Sequence, residues 1–154
     1  MLKPENTMNK QVPIQQVTIE QVSWQQAESH LRQVRTVVFI QEQQVTPEFE
    51  WDEIDSTAVH LLAMHDSKAI GCLRIIHHEK IGRMAVLKPW RGKGVGNMLL
   101  IKAIEICRQH GSTQIVLSAQ THAINFYQQA GFEITSGEYT DMHIPHVDMC
   151  LKLD

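Results

Sequence analysis

Residues 84–97 read Met-Ala-Val-Leu-Lys-Pro-Trp-Arg-Gly-Lys-Gly-Val-Gly-Asn. An apolar run ends at Pro89, a basic turn dense in glycine follows, and a long helical pattern opens near Met98. The first amides of a helix have no partner within it, and the helix dipole makes that end partly positive. Glycines let the main chain come close to a ligand, while Arg91 and Lys93 add charge. The chemistry suited to this turn is capture of a phosphate-sized anion at a helix N-terminus. Two common nucleotide motifs fail on spacing. A Walker loop needs a hydroxyl after its lysine, and Lys93 is followed by Gly94. The dinucleotide fingerprint needs a third glycine where Asn97 stands and a ribose-binding acid where Ile115-Val116-Leu117 lie. What remains is Arg-x-x-Gly-x-Gly, carried by Arg91, Gly94 and Gly96. Taken alone, such a turn also opens ordinary helices.

The elements that must position this turn follow from composition and periodicity. A chain of 154 residues, 43% apolar and 20% charged, suits one domain with one core. A net charge of −3 offers no basic field to nucleic acid. The longest apolar runs are far short of a membrane span, so neither nucleic acid nor a membrane is expected as a partner. Residues 1–13 are polar and lack the apolar core of a signal peptide, which predicts a poorly ordered tail, with Met8 open as an alternative start. Cys72, Cys107 and Cys150 sit in apolar contexts with no close pair, as reduced core thiols of a cytoplasmic protein would.

Residues 14–20 alternate as a first strand. Ser23 and Gln26 form a capping box, followed at helical spacing by Ala27, Leu31, Val34 and Val38, with the helix fading near Gln41. Residues 58–65 and 69–76 read as central strands around an Asp66-Ser67 turn, and residues 80–87 as a third. Arg74 falls inside the second strand and calls for a carboxylate partner, with the acidic stretch at 45–55 as a source. A helix spans 94–110 and stops at Gly111, its apolar residues covering more than half its circumference, so it must pack broadly on a sheet. Then come a strand at 114–119, a short helix at 123–130, a strand beginning at 132–136, an irregular stretch at 137–145, and a clean alternation at 147–153. The whole predicts an α/β mixed sheet of about six to seven strands flanked by helices.

Residues 45–55 read as a loop carrying Pro47 and five acids, Glu48, Glu50, Asp52, Glu53 and Asp55. It is either a solvated charge run or a lip that draws in a cationic substrate. Phe49 and Trp51 among the acids favour some packing.

Three features join the glycine turn to a known pattern. The strand Gly-Arg-Met-Ala-Val at 82–86 precedes it, a strand follows about twenty residues on, and Ala-Ile-Asn-Phe-Tyr-Gln-Gln-Ala-Gly-Phe occupies 123–132. The chain resembles the GNAT superfamily of N-acetyltransferases over residues 18–153. Within it, Val-Phe-Ile-Gln-Glu-Gln at 38–43, Glu-Trp-Asp at 50–52 and Ile-Pro-His-Val at 144–147 resemble the ElaA-like branch. The resemblance implies a single acetyltransferase domain over residues 14–154, with acetyl-CoA as donor and direct transfer to a primary amine in a ternary complex. It implies that the main chain around Arg91, Gly92, Lys93, Gly94, Val95, Gly96 and Asn97 cradles the pyrophosphate. Met84, Ala85 and Val86 would pair with the pantetheine arm and polarise the thioester carbonyl, and Gln120 and Phe126 would touch the cofactor. Many superfamily members have asparagine where this chain has Gln120. Tyr127 would be general acid to the leaving thiolate, the alternative being a tyrosine packed as core beside Phe126 and Phe132.

An ammonium must lose a proton before it attacks, and His122, His146, Glu42 and Glu53 are open as the base. Glu42, Trp51, Glu53 and Asp55 are the candidate acceptor-binding residues for a small-molecule amine or peptide. His143 and His146 are three apart, but Pro145 argues against a helix that would let them chelate, so no metal is expected. A homodimer through the last strands is open, as is a non-catalytic CoA-binding module of the same fold.

Overall fold

A computed structural model describes residues 16–154. The proposed tail at 1–13 and the start of the proposed first strand at 14–15 lie outside them. The chain folds as β1 (Thr18–Val22), α1 (Trp24–Arg35) and a π-helical continuation (Thr36–Glu42), then a short α2 (Pro47–Glu50) and a 3-10 turn (Glu53–Ser56). Three strands follow, β2 (Val59–His65), β3 (Lys68–Ile76) and β4 (Lys80–Val86). The remainder is α3 (Val95–Gln109), β5 (Gln114–Gln120), α4 (Ile124–Gln129), β6 (Glu133–Ile134), β7 (Tyr139–Asp141) and β8 (Ile144–Lys152). No helix among the described residues is long and apolar enough to cross a membrane.

All eight strands join one mixed sheet in the order β1-β2-β3-β4-β5-β8-β6, with β7 also paired to β8. The eighth strand exceeds the expected six to seven. It arises within the stretch expected to be irregular, because Met142 and His143 take φ of 48° and 57° and close a β7–β8 hairpin. Such a turn is usually written with glycine or asparagine, which this sequence lacks there.

Leu61, Leu73, Ile75 and Ile115 face α3, against Leu99, Leu100, Ala103 and Cys107. Leu62, Ala69, Cys72 and Ala85 face α1, against Leu31, Val34 and Val38. Central strands with apolar residues on both faces follow from this double cover. Each fully buried leucine contributes roughly 1.5–3 kcal/mol.

Ser23 caps α1 as its sequence requires, accepting from the Gln26 amide while the Gln26 side chain accepts from the Ser23 amide. The helical run ends at Glu42, next to the expected Gln41, but its last stretch widens into π-helical turns, and the Gln43 amide donates to Val38 O at 3.1 Å.

The acidic stretch is not a loop. Pro47 starts α2, and Glu50 and Asp55 turn inward, 3% and 2% exposed. They meet Arg35, itself 1% exposed: Nε donates to Glu50 Oε1 and Nη1 to Asp55 Oδ1, both at 2.7 Å. Arg74 finds the expected carboxylates, its Nη1 donating to Asp52 Oδ1 at 2.8 Å and Asp55 Oδ1 at 3.0 Å. Trp51 stacks with the guanidinium groups of Arg32 and Arg35, whose carbons lie 4.6 and 4.9 Å from its ring centroid. The acids turn inward because buried guanidinium groups demand counter-charge.

Two irregularities open the sheet. The parallel ladder between β4 and β5 has one register pair among the described residues, Lys80 with Val116, beyond which the strands part. On its other edge, β4 slips register against β3 between Cys72 and Arg74, and Arg83 sits in the bulge at φ 47°.

Candidate active site

The parting of β4 from β5 leaves a cleft of about 790 Å³ through the sheet. Gly96, Phe126 and Tyr127 line it on the α3 side, and Val38, Phe49 and Arg83 on the α1 side. The glycine turn stands at its rim. After the 3-10 turn Lys88–Trp90, Gly92 and Gly94 take φ of 74° and 87°, and Gly94 caps α3 without any side-chain hydrogen bond to the helix. The first amides of α3 are thus left for a ligand, and side chains other than glycine rarely adopt the φ that aims them. A Cβ on Gly96 would lie 3.5 Å from Phe126 Cζ and 3.9 Å from Val86 Cγ2, inside the cleft wall.

Each sequence-predicted residue has a definite place. Met84, Ala85, Val86, Arg91, Gly96, Gln120 and Phe126 line the cleft. Gly92, Lys93 and Gly94 form the turn, and Asn97 follows Gly96 in the first turn of α3. Val95 is 1% exposed, so its side chain belongs to the core and only its main chain can meet a ligand. The Arg91 guanidinium folds back over the turn, Nε donating to Val86 O at 2.8 Å and Nη2 to both Glu42 oxygens at 2.8 and 3.0 Å. Its charge is thereby answered within the protein, and Lys93 Nζ lies 5.5 Å from the Trp90 ring centroid. What this turn has left to offer an anion is its uncapped main chain.

Tyr127 is core and cleft wall at once. It lies edge-on to Phe126 and Phe132, with centroids 5.1 and 5.8 Å away, and lines the cavity. Burial pushes its phenol up to about 12.

Gln120 and Gln43 exchange side-chain hydrogen bonds at 2.8 and 3.3 Å, and His122 Nε2 meets Gln120 Oε1 at 2.6 Å. His143 Nε2 reaches Gln43 O at 2.9 Å, so the β7–β8 hairpin is tied to the end of the π-helical segment. His146 Nδ1 meets Ile144 O at 2.7 Å, and its ring stacks with Tyr139 at 6.0 Å. Both His122 and His146 line the cleft.

The expected acceptor residues, Glu42, Trp51, Glu53 and Asp55, lie outside the cleft lining. Glu42 clamps Arg91, Trp51 stacks on arginines, Glu53 lies exposed in its 3-10 turn, and Asp55 is consumed by Arg35 and Arg74. In their place Gln43, Phe49, Glu50, Arg74 and Arg83 line that side. The signal for them was present: Arg35 continues the buried face of Leu31 and Val34, and a charge there requires acids nearby.

A cleft between splayed parallel strands, with an uncapped glycine turn at its rim and a buried tyrosine on its wall, defines an acyl-CoA N-acyltransferase fold. The chain belongs to the GNAT acetyltransferase family, whose domain model matches residues 18–153. It is 36% identical to the Bacillus subtilis protein YyaT over 126 residues, 78% of this chain and 85% of that one. It is 32% identical to Escherichia coli ElaA over 131 residues, 80% of this chain and 86% of that one. The crystal structure of Escherichia coli ElaA superposes with a TM-score of 0.80 at 29% identity, covering 88% of this chain and 99% of that one. The same fold recurs in the PaiA N-acetyltransferase of Thermoplasma acidophilum, solved in complex with coenzyme A, with a TM-score of 0.64 at 21% identity over 89% of this chain and 99% of that one.

Proposed function

We propose that this protein transfers the acetyl group of acetyl-CoA to a primary amine by direct attack in a ternary complex. The observation that carries the reading is the uncapped, glycine-built start of α3 beside a cleft that passes through the sheet at Tyr127. Main-chain amides from Gly92 to Asn97 hold the pyrophosphate, as an anion at a helix N-terminus is held. The pantetheine arm lies along residues 84–86, taking the place of the missing ladder between β4 and β5. The PaiA structure with coenzyme A supports a cofactor of this type in this fold.

In the transfer step the amine nitrogen attacks the thioester carbonyl carbon, and the oxyanion is met by a main-chain amide of β4 next to the bulge. The C–S bond then breaks. A free thiol has a pKa of about 8.5, well below the Tyr127 phenol at about 12. Tyr127 therefore keeps its proton and steadies the departing thiolate by donating a hydrogen bond. His122 and His146, which line the cleft, are the groups placed to take the amine proton, directly or through water.

Titration calorimetry with acetyl-CoA, followed by thiol release against a panel of amines, tests the reading. Micromolar binding and amine-dependent release are expected. No binding at millimolar acetyl-CoA refutes the donor, and binding without release for any amine refutes the transfer.

A further inference from the structure

Beneath the α1 side of the cleft lie three arginines and three acids, and they are held unequally. Arg35 makes bonds of 2.7, 2.7 and 2.8 Å to Glu50 Oε1, Asp55 Oδ1 and Glu50 O. Arg74 makes bonds of 2.8 and 3.0 Å to Asp52 and Asp55. Arg83 has only long contacts: 3.3 Å from Nε to Glu50 Oε1, 3.6 Å from Nη2 to Asp52 Oδ2, and 3.4 and 3.3 Å from Nη2 to the carbonyls of Phe49 and Glu50. Its buried Nε has no partner in hydrogen-bond geometry among the described residues, and neither has that of Arg74. The Arg83 side chain is also the most open of the three, at 28% exposed against 1% and 6%.

The electrostatics follow the geometry. Burial works against the charge of Arg35, but its bonds and proximity to Asp55 and Glu50 raise its pKa above the ordinary arginine value. Burial, with Arg74 and Arg35 adding to it, holds Arg83 below that value despite Glu50 and Asp52. Arg83 is thus a cation whose counter-charges are spent on its neighbours. Its backbone is kept at φ 47° inside the β4 bulge, one residue before the segment that lines the cofactor path. Such a conformation is strained for a side chain other than glycine and is held by its surroundings.

We propose that the acceptor amine also bears a carboxylate and that Arg83 receives it; this rests on the acetyl-transfer reading above. On the α1 side the cleft shows Arg74, Lys80 and Arg83 against Glu50, whose Oε1 is already engaged by Arg35. The cleft lining also holds Asp141 and His146, from the β7–β8 hairpin. An amino acid fits this polarity, carboxylate to Arg83 and amine toward the hairpin, whereas a diamine brings a second cation against arginines. Of the acids that the sequence offers for a cationic acceptor, Glu42 and Asp55 are used up by arginines and Glu53 lies exposed outside the cleft lining.

The test uses the full chain with acetyl-CoA and matched pairs of acceptors: lysine and cadaverine, phenylalanine and phenethylamine, β-alanine and ethylamine. In any pair that turns over, the acid is expected to have at least tenfold higher kcat/KM, about 1.4 kcal/mol. Arg83→Gln should bring that ratio close to one with the CoA affinity unchanged, and Arg83→Lys should retain part of it. A preference for the decarboxylated amines, or one that survives Arg83→Gln, overturns the proposal. A second arm needs no turnover: calorimetry of N-acetyl amino acids and their decarboxylated counterparts on the CoA-loaded protein. Tenfold tighter binding of the acids, lost in Arg83→Gln, is expected, and no preference in any pair overturns the proposal. Selective binding of the acids without thiol release from any amine sinks the transfer reading while leaving the carboxylate site standing.

Discussion

Gly96→Ala should stabilise the free protein and weaken its hold on coenzyme A. Gly96 is in the first turn of α3, where alanine gains about 0.5–1 kcal/mol over glycine. No clash offsets this gain, because the nearest atoms to an added Cβ are Phe126 Cζ, Phe126 Cε1 and Val86 Cγ2 at 3.5, 3.6 and 3.9 Å, ordinary contact distances. For a chain of this size Tm should rise by about 2 °C. The same methyl projects between Phe126 and Val86 into the wall along which, in the proposed binding mode, pantetheine and pyrophosphate lie, and affinity should fall about tenfold, about 1.4 kcal/mol. Gly94→Ala is the control. Its Cβ meets nothing within 4 Å, but φ of 87° makes any side chain strained, so Tm should drop by an amount corresponding to roughly 1–2 kcal/mol. Thermal melts with and without CoA, together with calorimetry, separate the two effects. If Gly96→Ala binds CoA as tightly as the native chain, the cofactor does not lie against this turn and the account of the cleft is wrong.

Tyr127→Phe should lower turnover by about 10²-fold while CoA affinity stays the same; with a phenol near 12, no alkaline limb should come from this residue below about pH 11, and unchanged turnover removes it from the chemistry. Arg35→Met removes the shortest contacts of buried Glu50 and Asp55, leaving them to Arg83 and Arg74, and should cost about 3–5 kcal/mol in urea unfolding, against less than about 1 kcal/mol for loss of the exposed Arg32–Glu28 pair. Burial alone would raise the Asp55 carboxyl, but hydrogen bonds and charges from Arg35 and Arg74 hold it below its ordinary 3.8. Just below that pH the unfolded chain binds the extra proton, so stability is full above 3.8 and is lost as pH falls through the folded value. Urea midpoints between pH 2 and 6 should show this limb, and Asp55→Asn should flatten it.

The sheet, its central strands and the glycine turn were legible because they rest on local rules. Ser23 with Gln26 fixes a helix start, Gly94 and Gly111 bracket α3, and the apolar residues of β2 and β3 require cover on both faces. The misreadings share a cause in partners distant in sequence. Glu50 and Asp55 look like a solvated run until Arg35 and Arg74, 15 to 20 residues away, are brought against them. Glu42 looks like an acceptor contact until Arg91, 49 residues on, reaches it. The β7–β8 hairpin was missed because Met142 and His143 give no local hint of a positive φ; their conformation is held by the ladder from Tyr139 to His146.

The single register pair joining β4 to β5 divides the sheet into two ribbons, four strands on either side of a seam. Along that seam the backbone of each ribbon lacks the partner that an interior strand has. A pantetheine arm laid there, as proposed, would act as a splint, and its departure would free both edges at once. Deuterium uptake at main-chain amides of residues 82–86 and 117–120 should therefore gauge occupancy, slower with CoA bound than without it. On the acetyl-transfer reading the protein should be stiffest when charged with its donor, and the release of spent coenzyme should follow how readily the two ribbons draw apart.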